Sequence, residues 1–304
     1  MTNASPGFLS AADLVSDVSA PRELVLEPLL ASNSIALLYG PAGIGKSFVA
    51  LGIAWAVASG GSFLGWRAPC PRRVLYVDGE MGAIDLGERL ALFGSPPPNL
   101  EFWLPDRNPG RALQLDTLDG QLRLMEGWRW PDLVVIDTPS SLTGLAGGDA
   151  ERSPAFQHFL LWQKQSQRAV LLVRQANRKG AARGTTRSED ALDLVLALRR
   201  PADRCVTDGV RVEIHVEKSH RVAGPALVPV LAHLQPEGMG RASWQWRGAG
   251  LSRLDCAIPL LREGLDAPAL GRALGVSRAT AFRLQRRARQ RGLLFNPRPP
   301  EKAT

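Results

Sequence analysis

The sequence predicts an α/β fold: a mostly parallel, twisted sheet with an antiparallel extension, followed by a small all-α unit. Three observations predict it. Apolar runs rich in leucine and β-branched residues recur at 35–39, 74–78, 133–137 and 170–174, separated by helical stretches at 46–59, 84–93 and 154–167. Near-continuous apolar strands are covered on both faces, and their alternation with helices is the pattern of parallel crossovers. Later runs at 195–198, 210–217, 226–233 and 242–247 are more closely spaced, as antiparallel neighbours are. Finally, the last fifty residues combine helical spacing with many arginines.

Taken in order, residues 1–30 predict a loosely tied arm lying across the domain surface, and residues 31–248 the α/β domain. Residues 94–98 (Gly-Ser-Pro-Pro-Pro), 144–154 and 177–187 predict loops. Residues 248–250 (Gly-Ala-Gly) read as a linker to a C-terminal domain at 252–295, with a tail at 296–304. There, 257–264 and 267–274 predict short helices, and Ser277 caps a third running to about 291.

Composition narrows the class. The chain has 304 residues, 45% of them apolar, which suits a globular protein of one large and one small domain. The polar N-terminus lacks a signal-peptide pattern, and the longest apolar stretch, 48–58, is too short to span a bilayer, so a cytoplasmic protein with no membrane partner is expected. Cys70, Cys205 and Cys256 are few and far apart and the four histidines lack ligand spacing, so neither a disulfide framework nor a structural metal is expected. Net charge is +8, and residues 252–304 hold eleven Arg/Lys against four Asp/Glu. Cationic charge concentrated in one segment points to a polyanion, nucleic acid being the usual one.

The most specific motif is Gly40-Pro41-Ala42-Gly43-Ile44-Gly45-Lys46-Ser47, followed by Phe48. It matches the Walker A pattern and sits where the mechanism needs it, after a strand and opening a helix. Backbone N–H groups of such a loop face phosphate oxygens, Lys46 reaches the β- and γ-phosphates, and the Ser47 hydroxyl ligates Mg²⁺ of Mg·ATP. Leu133-Val134-Val135-Ile136-Asp137 supplies the acid-tipped strand, with Asp137 expected in the Mg²⁺ shell. Thr138 follows, so the base that activates water must come from elsewhere. The strand ending Asp78-Gly79-Glu80-Met81 offers it, with Glu80 preferred to Asp78 because it lies beyond the strand end.

These residues together resemble the RecA/DnaB hexameric helicase core. Gly79-Glu80-Met81 resembles the Glu-Met element of DnaB-type helicases, whose Glu is the catalytic base. Val173-Arg174-Gln175-Ala176-Asn177-Arg178 is similar to their motif in which a Gln senses the γ-phosphate, a role implied for Gln175. Glu217-Lys218-Ser219-His220-Arg221, before Gly224-Pro225, resembles the Lys-x-Arg finger that reaches the ATP of a neighbouring subunit, which implies a trans role for Lys218 and Arg221. Residues 184–193 and 198–201 resemble the plasmid RepA-type replicative helicases, and the likeness spans about 21–247. Two departures stand out: paired histidines are usual where this chain has Arg174-Gln175, and two residues rather than one separate Lys218 from Arg221.

The resemblance implies a homo-oligomer, a hexamer, with ATP between subunits and single-stranded DNA gripped by Arg178, Lys179, Arg183 and Arg187, which lie in an acid-free loop. The C-terminal helices resemble the helix-turn-helix of resolvase-type and regulator proteins. Ala281, Leu284 and Ala288 form a buried stripe, leaving Arg278, Thr280, Arg283, Arg286 and Arg287 to meet duplex DNA. Two readings follow: a DNA-dependent ATPase of the hexameric replicative helicase type from a plasmid, phage or mobile element, or an ATP-gated regulator that binds duplex DNA without unwinding it. A small-molecule kinase is a third, against which the basic C-terminal unit and the finger both speak.

Overall fold

A computed structural model describes residues 10–17, 23–110, 113–127, 129–144, 153–176, 191–201, 209–220 and 227–249. In the C-terminal stretch it describes 254, 257, 260–261, 264–274 and 276–290. The chain divides into two compact units, residues 1–247 and 248–304.

The described strands of the first unit are β1 (Leu24–Leu26), β2 (Leu30–Ala31), β3 (Ile35–Gly40), β4 (Ser62–Phe63), β5 (Trp66–Arg67), β6 (Val74–Asp78), β7 (Leu100–Trp103), β8 (Leu133–Asp137), β9 (Ala169–Gln175), β10 (Leu194–Arg199), β11 (Arg211–Ser219), β12 (Val230–Gly238) and β13 (Arg241–Gly248). Its helices are α1 (Ala11–Asp17), α2 (Lys46–Ser59), α3 (Ala83–Ala91), α4 (Leu118–Glu126) and α5 (Pro154–Gln165). The main sheet runs β13-β12-β11-β10-β3-β9-β8-β6-β7. From β10 to β7 every pairing is parallel, and β10–β11 and β11–β12 are antiparallel. The predicted class, a mostly parallel sheet with an antiparallel extension, is the one observed.

Pleating sorts the central strands between two cores. Ala36, Leu38, Tyr76, Val135 and Leu171 face the side of α2, whereas Ile35, Leu37, Val134, Ile136 and Leu172 pack on the side of Phe156 and Phe159 of α5. Both sets are buried, which is why these strands read as continuous apolar runs instead of alternating ones. α2 is apolar all round, with Val49 to Ala58 buried except Trp55, as befits a helix inside a domain. It ends at Gly60, held at φ +67, where a Cβ would come within 2.7 Å of Pro71. α5 starts on Ser153, whose hydroxyl accepts the Phe156 N–H, with Pro154 in the first turn.

Several elements depart from the sequence expectation. The stretch 23–31 is not a loosely tied surface arm: Val25, Leu26, Leu29 and Leu30 are buried in the α2-side core. β4 and β5 form a hairpin turning on Leu64 (φ +50) and Gly65 (φ +83), both left-handed as a two-residue hairpin turn favours. β7 is an additional edge strand, half-buried throughout. α4 is hidden in the sequence by Gly120, where a Cβ would meet the Gln114 carbonyl oxygen at 2.2 Å. There glycine serves a close approach and costs helix propensity.

In the second unit the described helices are α6 (Ala267–Ala273) and α7 (Arg278–Gln290). Asp266 caps α6 by accepting the Ala269 N–H at 2.8 Å. Leu270, Ala281, Leu284 and Ala288 are buried together with Leu254, Ala257 and Leu261.

Candidate nucleotide site

At the C-terminal end of β3 the chain turns through Gly43 (φ +66) and Gly45 (φ +107) into α2. Both conformations favour glycine. At Gly45 there is also no room, since a Cβ would lie 2.4 Å from Val210 Cγ1, while Gly43 borders open space. Gly40 packs against Leu198, and Ile44 is a core residue at 1% exposure. The loop is thus anchored by Gly40 and Ile44, and its tip is left to face outward.

That tip borders a cavity of about 360 Å³ lined by Ala42, Gly43, Gly45, Lys46, Ser47 and Phe48 from this segment. Glu80, Asp137, Thr138 and Gln175 close it from the ends of β6, β8 and β9. The parallel register explains the convergence. Asp78 is level with Asp137, and Gly40 with Gln175, so the strands end together where ligands of parallel sheets bind. β9 lies between β3 and β8, which places Gln175 between the phosphate loop and Asp137. A larger cavity, about 720 Å³, opens at the opposite edge, beside Arg72, Arg73 and Asp132. It collects strand starts, not strand ends, and none of the motif residues.

Hydrogen bonds order the side chains. Lys46 Nζ donates to the Pro41 carbonyl at 3.1 Å. Asp137 Oδ2 accepts from the Tyr76 hydroxyl at 2.7 Å, and Ser47 lines the same cavity as this carboxylate. The Thr138 hydroxyl donates to Glu80 Oε1 at 2.7 Å. Asp78, 1% exposed, accepts the backbone N–H groups of Glu80 and Met81 on Oδ1, at 2.8 and 2.7 Å. So Asp78 builds the turn that presents Glu80, and the exposed Glu80 carboxylate faces the cavity.

The electrostatics follow from burial. Burial pushes the Asp137 carboxyl above the usual range, opposed first by the Tyr76 and then by the Ser47 hydroxyl. Burial likewise lowers Lys46 against the pull of Asp137 and Glu80. Asp78 is pushed up to about 6, mainly by burial, against the two backbone N–H bonds. Its folded value thus exceeds its ordinary 3.8, so the folded protein holds the extra proton between about pH 4 and 6. Stability from this group is therefore full below that window and is lost as pH rises through about 6. Asp78→Asn keeps the Oδ1 acceptor and removes the titration. It is expected to raise Tm by about 2–4 °C at pH 7.5 and to leave it unchanged near pH 4. Thermal unfolding of both proteins across that range checks it, and parallel curves would contradict the assignment.

The donor set fits a magnesium nucleotide. An ammonium, a hydroxyl and a carboxylate border one cavity of small-ligand size. Mg²⁺ characteristically takes one or two protein oxygens and completes its shell with phosphate and water.

The structure brings Lys46, Ser47, Glu80, Asp137 and Gln175 together. It does not bring Lys218 to them. Lys218 pairs with Val195, which is level with Leu37, and the chain then runs to the N-terminal edge, where the His220 N–H meets the Asp193 carbonyl. Arg178, Lys179, Arg183, Arg187 and Arg221 lie outside the described residues. On α7, Arg278, Arg283, Arg286 and Arg287 are exposed and Thr280 is half-buried. Thr280 is tied to the Ser277 cap, its Oγ1 lying 2.9 Å from the Ser277 hydroxyl and accepting an Arg283 N–H at 3.1 Å.

Four residues at the site escaped sequence reasoning. Thr138 and Ser140 follow Asp137 directly. Arg89 lines the cavity from α3, its guanidinium 4.8 Å from the Phe48 ring centroid. Tyr76 carried one legible signal, a hydroxyl in an otherwise aliphatic buried strand.

No curated protein matches the chain. Among solved structures, it is similar to the flagellar accessory protein FlaH of Methanocaldococcus jannaschii: 10% identity, 78% of this chain and 97% of that one, TM-score 0.47. It is also similar to a KaiC-like protein of Pyrococcus horikoshii: 16% identity, 70% and 91% coverage, TM-score 0.49. The family model described as AAA domain matches residues 4–181, more than half of the sequence and all of the phosphate loop, Glu80, Asp137 and Gln175. The chain belongs to the AAA domain family of P-loop ATPases.

Proposed function

We propose that this chain is a DNA-dependent ATPase of the hexameric replicative helicase type, working in the cytoplasm of a host that carries its plasmid, phage or mobile element. The observation that carries this reading is the position of Gln175. It ends β9 inside the nucleotide cavity, and the basic stretch 177–187 follows it directly. A change at the phosphate end would pass along one short piece of chain to the segment expected to grip single-stranded DNA.

The chemistry is derived from side chains. The Lys46 ammonium meets the charge that develops on the transferred phosphoryl oxygens. Ser47 Oγ and the Asp137 carboxylate would hold Mg²⁺, which when bound supplies neutralisation of the phosphate charge. Glu80 Oε1 is held by Thr138, which leaves Oε2 to orient the attacking water and take its proton. Gln175 senses the γ-phosphate through its amide. Lys218 stands away from its own cavity, so with Arg221 it would act on the site of a neighbouring subunit. No helix of the described residues is long and apolar enough to cross a membrane.

Steady-state ATP hydrolysis with and without single-stranded DNA tests the reading. Stimulation by single strands is expected, with turnover per chain rising with protein concentration as subunits associate. Arg221→Ala is expected to lose activity and to regain part of it when mixed with Lys46→Ala subunits. Turnover indifferent to single strands, from a chain that stays monomeric with ATP and DNA, would overturn it. The separate C-terminal unit favours a second reading, an ATP-gated regulator, because α7 leaves five arginines exposed over a buried apolar stripe. Sequence-specific duplex binding lost on deleting residues 252–304, without unwinding, would decide for that reading.

A further inference from the structure

We infer that Tyr76 is a positioning residue that sets which oxygen of Asp137 is offered to the divalent cation. The inference rests on the reading of Asp137 as a cation-shell carboxylate. Tyr76 lies in the middle of β6, is fully buried, and belongs to no part of the phosphate motif. Its ring packs beside Phe102 with centroids 5.5 Å apart, and its hydroxyl donates to Asp137 Oδ2 at 2.7 Å across the β6–β8 pairing. Tyr76 is level with Val135, two residues before Asp137. The side chain therefore reaches forward along the strand to meet the carboxylate from inside the sheet. Ser47, from the phosphate loop, lines the cavity that this carboxylate also borders.

A carboxylate at 4% exposure has little water to satisfy it. Tyr76 occupies Oδ2 on the core side, so the remaining lone pairs face Ser47 and the cavity. With phenylalanine at 76, Oδ2 would stay buried without a donor, and the carboxylate would turn toward Ser47 or take up a proton. Both outcomes remove charge and geometry that a hard cation needs. Residues that orient a metal's ligands typically change its affinity by about 10- to 100-fold when lost.

The test uses the full chain and binding of a fluorescently labelled ADP, titrated with Mg²⁺ and repeated in EDTA. For Tyr76→Phe the Mg²⁺ concentration at half-maximal enhancement is expected to rise about 10- to 100-fold. Affinity in EDTA is expected to match wild type. Phe102→Leu is the packing control. It loosens the Tyr76 ring but keeps the hydroxyl, and is expected to lower Tm without moving the Mg²⁺ requirement. Asp137→Asn is expected to raise that requirement, and Tyr76→Phe added to it to raise it no further. A Tyr76→Phe requirement within twofold of wild type, an equal rise in Phe102→Leu, or additive effects in the double variant would each overturn the inference. If Asp137→Asn alone leaves the requirement unchanged, the reading of the cation site itself fails. If it raises the requirement and Tyr76→Phe does not, only the role of Tyr76 fails.

Discussion

Lys46→Ala is expected to abolish ATP turnover, with a fall of at least about a hundredfold, the scale on which loss of one charge-stabilising donor is felt. Lys46 is half-buried at the head of α2, with its amine on the Pro41 carbonyl, and burial lowers its pKa against the opposing pull of the Asp137 and Glu80 carboxylates. Without the ammonium, the described residues lining the cavity include two carboxylates and, as side-chain cation, only Arg89. A triphosphate entering such a site would meet net negative charge. Nucleotide affinity should therefore fall along with turnover, and equilibrium binding of labelled ATP reads it directly. The fold should be retained, because α2 is fastened by the apolar residues from Val49 onward. Turnover within a few-fold of wild type in the folded variant would refute the site.

Glu80→Gln should separate binding from chemistry. The amide oxygen can still accept the Thr138 hydroxyl, so the side chain stays in place, while the group that takes the proton is gone. A lost general base costs about 10²- to 10⁴-fold in rate. Labelled ATP should bind as before, or more tightly with one negative charge removed from the cavity. Single-turnover hydrolysis with a quenched-flow readout measures the step itself. An unchanged rate would shift the role to another group. Asp78 is a poor substitute, since its Oδ1 is engaged by two backbone N–H groups and it does not line the cavity. The burial that raises the Asp78 pKa also keeps it from incoming water.

Features that depend on local pattern are legible in the sequence. The phosphate loop was legible because its glycines, lysine and serine stand at fixed spacing between a strand and a helix. α2 falls on the expected 46–59, and β6 and β8 on 74–78 and 133–137, since runs buried on both faces leave an unambiguous apolar signal. Glu80 reads as the base from its place beyond a strand end, and it lines the cavity while Asp78 does not. Other features depend on neighbours distant in sequence and emerge with the assembled fold. The burial of Val25 and Leu26 needs α2 beside them. Gly120 is acceptable within α4 because the chain at Gln114 passes too close for a side chain. The Tyr76–Asp137 and Thr138–Glu80 bonds join residues 61 and 58 positions apart, brought together by the parallel register of β6 and β8. Lys218 read as a finger from its motif, and antiparallel pairing with β10 carries it away from the cavity of its own chain. Periodicity records which face of an element is covered, and register, which sets the distances within a site, is a property of the assembled sheet.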